Sequence, residues 1–279
     1  MQLRNLPYIF LGSTKYSGDI LESLLQKGCI PKAIFSIPEY FSISYSKTQV
    51  RNYNFYDFEA LAKQNGIPFY WVDQSTPLQL YADKIREWRL EFMLVAGWYY
   101  KIPPSIYALS KLGAFGFHSS LLPKYAGGAP LVWAMINGES KSGVTLFQMQ
   151  EQMDNGDIIM QESFDIAFSD TIQEVLHKST QCAIAMSLKL FDKDYCITFT
   201  PQNAKQEYYP QRSPSDGEID LSWDSTRLYN FIRAQSSPYP GAFIKTIDGK
   251  KLVIDEAHIQ LESSGGGGFN KVLVASFAA

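Results

Sequence analysis

From Tyr8 to Met149, short apolar runs rich in β-branched or aromatic residues alternate with longer stretches whose apolar residues recur at helical spacing. This alternation constrains the chain more than any other feature. Repeats of strand, helix and strand bury both faces of a sheet and specify an α/β domain with a largely parallel sheet. The strand-like runs are Tyr8–Leu11, Ala33–Ile37, Pro68–Val72, Phe92–Gly97, Ala114–His118 and Gly143–Met149. The spacing predicts helices over Ser17–Gln26, Tyr56–Asn65, Leu78–Trp88, Ser105–Lys111 and Pro130–Asn137, and a longest one over Thr171–Phe191. The first unit is the clearest: strand Tyr8–Leu11, turn Gly12-Ser13-Thr14, then a helix with Ile20, Leu21, Leu24 and Leu25 on one face, stopping at Lys27-Gly28. The uncharged run Phe92–Gly97 reads as a buried central strand ending at a glycine. Residues 38–55 have neither period and read as a long loop.

At 279 residues the chain exceeds what one core usually holds, so a large and a small domain are expected. Composition shifts over Thr200–Gly217, which is rich in Gln, Pro, Ser and Asp, and short strand-like pieces follow at Phe243–Thr246 and Lys251–Ile254. We therefore expect a main domain over 1–203 and a small, mainly β domain over 204–279, with Gly265–Gly268 as a turn before a last strand, Lys271–Ser276. A net charge of -3 and a pI near 5.7 disfavour a surface built to neutralise phosphates, so no nucleic-acid partner is expected. Cys29, Cys182 and Cys196 are odd in number and lack metal-ligand spacing, which reads as reduced thiols in a cytoplasmic protein without a metal. The opening MQLRNLPYIFLGS reads as a first strand rather than a signal peptide, and no run reaches the roughly 20 apolar residues of a membrane span.

Chemistry concentrates in Gly113–Asp157, which contains a strand-terminal histidine, a Ser-Leu-Leu-Pro turn, a Gly-Gly pair before a helix, a Gly-Val-Thr strand and an acidic turn. His118 stands where open α/β sheets place their sites, at a strand's carboxyl end. An imidazole there can act as a general base near neutral pH, or serve as a hydrogen-bonded structural residue. Asp154, in Met-Asp-Asn-Gly-Asp, can orient and charge-stabilise such a histidine, or simply close a turn before Gly156. Spacing alone does not bring the two together.

The same segment resembles the signature of the folate-dependent formyltransferases, in which Asn-x-His-x-Ser-Leu-Leu-Pro precedes a Gly-Val-Thr strand and an Asp-x-Gly turn. The matching residues are Gly116 to Pro123, Gly143-Val144-Thr145 and Asp154-Asn155-Gly156. Phe10 to Ser13, Val95 to Trp98, Asp216 to Asp220, Ile232-Arg233-Ala234 and Pro238 to Ala242 also look like the family's. The resemblance implies a Rossmann-like, mostly parallel sheet with helices on both faces. It also implies an N-formyltransferase using 10-formyltetrahydrofolate, in which His118 and Asp154 form the catalytic pair. Gly97, Trp98 and Met149 to Asp154 become the expected folate contacts, with strand termination for Gly97 and core packing for Trp98 and Met149 as the alternative readings. A cis Leu122-Pro123 bond is implied as well. The family's catalytic asparagine falls on Gly116, which has no side-chain amide. A donor such as Ser119, Ser120 or a backbone N–H, or a site run by His118 and Asp154 alone, is expected in its place.

Among acceptors, a nucleotide-linked amino sugar fits the size, the acidity and the short C-terminal module best; Ser119, Lys124 and Tyr125 are the expected contacts. Methionyl-tRNA formyltransferase is the alternative, set back by the acidic charge, and a non-catalytic folate or nucleotide-sugar binding protein is the reading from another class. A glycinamide branch would need a stronger phosphate loop than Gly12 to Gly18. The sequence allows a homodimer without specifying one, and points to no membrane partner.

Overall fold

The computed structural model describes residues 3, 5–43, 48–263 and 269–276, with side chains described as far as Gln260. Seven strands form the main sheet: β1 (Tyr8–Gly12), β2 (Ile34–Ser36), β3 (Phe69–Trp71), β4 (Phe92–Ala96), β5 (Ala114–His118), β6 (Lys141–Gln148) and β7 (Ile158–Asp165). Their spatial order is β7-β6-β5-β4-β1-β2-β3. The β1–β2, β1–β4, β2–β3 and β4–β5 pairs are parallel, and β5–β6 is antiparallel. Every residue of β1 and β4 is buried, which is why both read as continuous apolar runs rather than alternating ones. From β1 the chain builds outward to β2 and β3, then crosses back to β4 and β5. The order therefore reverses between β1 and β4, and their carboxyl ends, Gly12-Ser13 and Gly97-Trp98, flank a topological switch point.

Helix α1 (Lys15–Gln26) starts at Thr14, whose side chain and that of Ser17 form a reciprocal capping box. Helix α2 (Phe58–Asn65) is capped by Asp57 and ended by left-handed Gly66. The helix expected over Leu78–Trp88 begins as a 3₁₀ turn, Leu78–Tyr81, before α3 (Ala82–Glu87). The stretch expected to be a long loop is partly paired, Tyr40–Phe41 against Val50–Arg51, and residues 44–47 of it lie outside the described residues. Helices α4 (Pro104–Tyr107), α5 (Pro130–Ile136) and α6 (Ile172–Leu190) match the expected positions within a few residues at each end. Strand β7 was not expected at all.

Contacts divide the chain into two compact units, Met1–His118 with Val144–Glu162 and Thr180–Lys205, and Ser119–Gly143 with Ser163–Ser179 and Gln206–Ala279. In the second unit, α7 (Ser225–Arg233) is capped by Asp224 and buries Leu228, Phe231 and Ile232 with Ile219, Ala242 and Ile254. Two antiparallel pairs follow, β8 (Ala242–Lys245) with β9 (Lys251–Ile254) and β10 (Glu256–Ser263) with β11 (Phe269–Ser276). The expected glycine turn falls among residues 264–268, outside the described residues. No described helix is long and apolar enough to cross a membrane.

Candidate active site

His118 ends β5 directly opposite Thr145 of β6. Its Nδ1 lies 3.7 Å from Asp154 Oδ2, and the two side chains are 10% and 13% exposed. A helix and a strand separate them in sequence, and the antiparallel return of β6 brings them together. At this distance the two groups face each other without a short direct hydrogen bond.

The turn that carries Asp154 follows β6. Gln148 N–H donates to Asp157 O at 2.8 Å across its base. Gly156 passes so close that a Cβ there would stand 1.5 Å from Gln148 O, and Asp154 adopts a left-handed φ of 54°. Only glycine permits the first approach, and the second is uncommon outside asparagine, aspartate and glycine.

At the switch point, Ser13 Oγ donates to Gly97 O at 2.7 Å, and a Cβ on Gly97, which has φ 53°, would stand 2.1 Å from Thr14 Oγ1. Asn52, 2% exposed, donates to Ser13 O at 2.7 Å and accepts from Asn54 N–H and the Tyr99 hydroxyl. The segment after the Tyr40–Phe41 pair is thus fastened to the carboxyl edge of β1, a role for residues 48–55 that their lack of periodicity concealed. Trp98 packs against the core under β1 and β4 and also against Ile37, Phe41 and Ile43. Its Nε1 is buried without a hydrogen-bond partner. A buried donor of this kind beside the switch point suits a ligand that offers acceptor atoms, as a pterin does.

Met149 N–H donates to Ala114 O, and its side chain fills the space beside Gly116. A Cβ at position 116 would meet Met149 Cγ at 3.2 Å, Phe147 Cε1 at 3.3 Å and Met149 Sδ at 3.4 Å. The glycine at this position is therefore matched by its neighbours.

In the second unit, the Leu122-Pro123 bond is cis, as the resemblance implied, and Ser237-Pro238 is cis as well. Ser120 Oγ donates to Lys124 O at 2.6 Å, closing the turn, and Ser119 Oγ accepts from Ser179 Oγ at 3.1 Å. Lys124 is exposed. Tyr125 is 7% exposed, stacks on Tyr209 at 4.7 Å, donates to Glu139 Oε1 at 2.9 Å and accepts from Asn137 at 3.2 Å. Burial pushes its phenol well above the usual tyrosine range, with Asn137 opposing and Glu139 reinforcing the shift.

The family models for formyl transferase and for the formyl transferase C-terminal domain match residues 43–186 and 212–274. The chain is 35% identical over 175 residues to the bifunctional polymyxin resistance protein ArnA of Wigglesworthia glossinidia brevipalpis. That match covers 61% of this chain and only 27% of the relative. A sugar N-formyltransferase from Shewanella superposes with a TM-score of 0.66 at 18% identity, covering 90% of this chain and 97% of the other. Methionyl-tRNA formyltransferase from Clostridium thermocellum superposes with a TM-score of 0.61 at 18% identity, covering 98% and 100%. At such identities the structures establish the fold, and the family models establish the lineage. The chain belongs to the formyl transferase family.

Proposed function

We propose that the protein is an N-formyltransferase that moves a formyl group from 10-formyltetrahydrofolate to the amine of a nucleotide-linked amino sugar in the cytoplasm. The observation that carries the reading is the His118–Asp154 pair, 3.7 Å apart at the carboxyl edge of the sheet in a chain of this family. The folate co-substrate supplies the formyl carbon. Gly97, Trp98, Met149 and Asp154 are the residues that hold it, and the unpartnered Trp98 Nε1 fits that task. Transfer forms the bond from the acceptor nitrogen to the formyl carbon and breaks that carbon's bond to the folate nitrogen, so a proton must leave the amine, a proton must reach the departing folate nitrogen, and negative charge builds on the formyl oxygen between the two events. Asp154 lies on the Nδ1 side of His118, so proton transfer to the imidazole falls to Nε2, and the carboxylate stabilises the imidazolium that results.

Gly116 offers no amide to the developing oxyanion. Ser119 is the stronger of the two serine candidates for that bond, because its oxygen accepts from Ser179 while the Ser120 hydroxyl is committed to Lys124 O. Ser119, Lys124 and Tyr125 contact the acceptor in this proposal, with Tyr125 acting through its ring and backbone because its hydroxyl is bonded to Glu139.

The acidic charge and the likeness to the Shewanella sugar N-formyltransferase favour a sugar acceptor. The test is tetrahydrofolate release with a panel of nucleotide-linked amino sugars beside charged initiator tRNA. Turnover on a sugar amine supports the proposal. Formylation of tRNA alone overturns the acceptor, and folate binding without turnover on any amine overturns the enzymatic reading.

A further inference from the structure

The Asp154 turn is held by a residue well downstream of it. Ile158 and Thr200 exchange both backbone hydrogen bonds, each 2.8 Å, which lays the chain after Thr200 alongside the turn that precedes Ile158. Two residues further on, Gln202 Nε2 donates to Asp154 O at 2.9 Å and to Gly156 O at 2.8 Å. Both amide protons are used on this one turn, while Gln202 Oε1 is buried with no hydrogen-bond partner. Asp154 meanwhile sits at φ 54°, a left-handed conformation that aspartate tolerates, and the bond from Gln202 to its carbonyl braces it there. Neither bond touches the Asp154 carboxylate. The clamp acts on the backbone at 154 and 156 and thereby sets where the carboxylate stands relative to His118.

We infer that Gln202 is a positioning residue for Asp154, an inference that rests on the proposed catalytic role of the His118–Asp154 pair. It acts through the aspartate and makes no contact with the reacting groups. Misplacing a reacting or orienting group by about 1 Å costs on the order of 10²-fold in rate, which sets the upper bound of the expected effect.

Two variants test it. Gln202→Leu removes both donors, and Gln202→Glu keeps shape and size but turns acceptors towards two carbonyls. Two readouts are needed. In the first, hydrogen exchange at the Gln148 amide, which bonds to Asp157 O across the base of the turn, and at the Ile158 amide, which bonds to Thr200 O, accelerates roughly 10-fold or more in both variants once the clamp is lost. In the second, kcat falls roughly 10- to 100-fold while KM for each substrate stays within about 3-fold, and Gln202→Leu costs no further rate in an Asp154→Ala background. Unchanged exchange, or a loss that adds to that of Asp154→Ala, overturns the inference. If His118→Ala and Asp154→Ala retain full turnover, the role of the pair fails, and the exchange readout still judges the clamp. Should Gln202→Leu not fold, the isosteric Gln202→Glu carries both readouts.

Discussion

Replacing Gly97 with alanine forces a left-handed backbone and a steric overlap on the carboxyl end of β4. Residue 97 has φ 53°, and the new Cβ would lie 2.1 Å from Thr14 Oγ1 and 3.2 Å from Thr14 Cβ and Cγ2, more than 1 Å inside ordinary contact for the nearest pair. The torsional cost of a left-handed alanine is roughly 1 kcal/mol. Pushing Thr14 aside in a site it shares with buried Ser17 adds about 1–3 kcal/mol as overpacking. Thr14 also caps α1, and turning its hydroxyl away from Ser17 forfeits about 1 kcal/mol more. The total is roughly 3–5 kcal/mol, against about 1 kcal/mol for Gly66→Ala, where φ is 64° and nothing lies within 4 Å of the added Cβ. At about 2–4 °C per kcal/mol for a chain of this size, Gly97→Ala melts roughly 5–15 °C below Gly66→Ala. Parallel thermal and urea unfolding of the two variants measures the difference. Equal destabilisation would refute the claim that Thr14 and Gly97 are packed together at the switch point.

Three further outcomes are expected. Asn52→Leu removes the donor to Ser13 O and the acceptor for Asn54 N–H, and lowers stability by roughly 1–3 kcal/mol in urea unfolding. Gly116→Asn crowds Met149 and Phe147 and costs about 1–3 kcal/mol, while Gly116→Asn with Met149→Ala loses less than the sum of the single changes in the same assay. Burial, reinforced by Asp73, raises Tyr100 to about 12, so the folded state keeps a proton that the unfolded chain releases near about 10. Stability is then full below about pH 10 and falls as pH rises towards 12, and circular dichroism recorded with tyrosinate absorbance should show unfolding and ionisation together in that window.

The parallel sheet was legible because β1 and β4 are buried on both faces and so read as unbroken apolar runs. Strand β7 was not, since Gln161, Glu162 and Ser163 interrupt its apolar half. Helix α7 carries Leu228, Phe231 and Ile232 at helical spacing behind the Asp224 cap, a signal present in the sequence but hidden among the strand-like pieces around it. His118 and Asp154 were nameable as a candidate pair from the resemblance carried by Gly113–Asp157, whereas their 3.7 Å approach depends on the antiparallel return of β6, which spacing cannot convey. Asn52 and Gln202 were invisible for a related reason. Each acts on backbone carbonyls 39 and 46–48 residues away in sequence, and nothing in the local sequence around either residue marks those partners.

The central claim is that His118 and Asp154 work as a pair in formyl transfer, and amine-dependent tetrahydrofolate release by the wild type, His118→Ala and Asp154→Ala tests it most directly. The account predicts turnover by the wild type and losses on the order of 10² to 10⁴-fold in each variant, with circular dichroism and melting temperature retained. Turnover undiminished in either folded variant would contradict it.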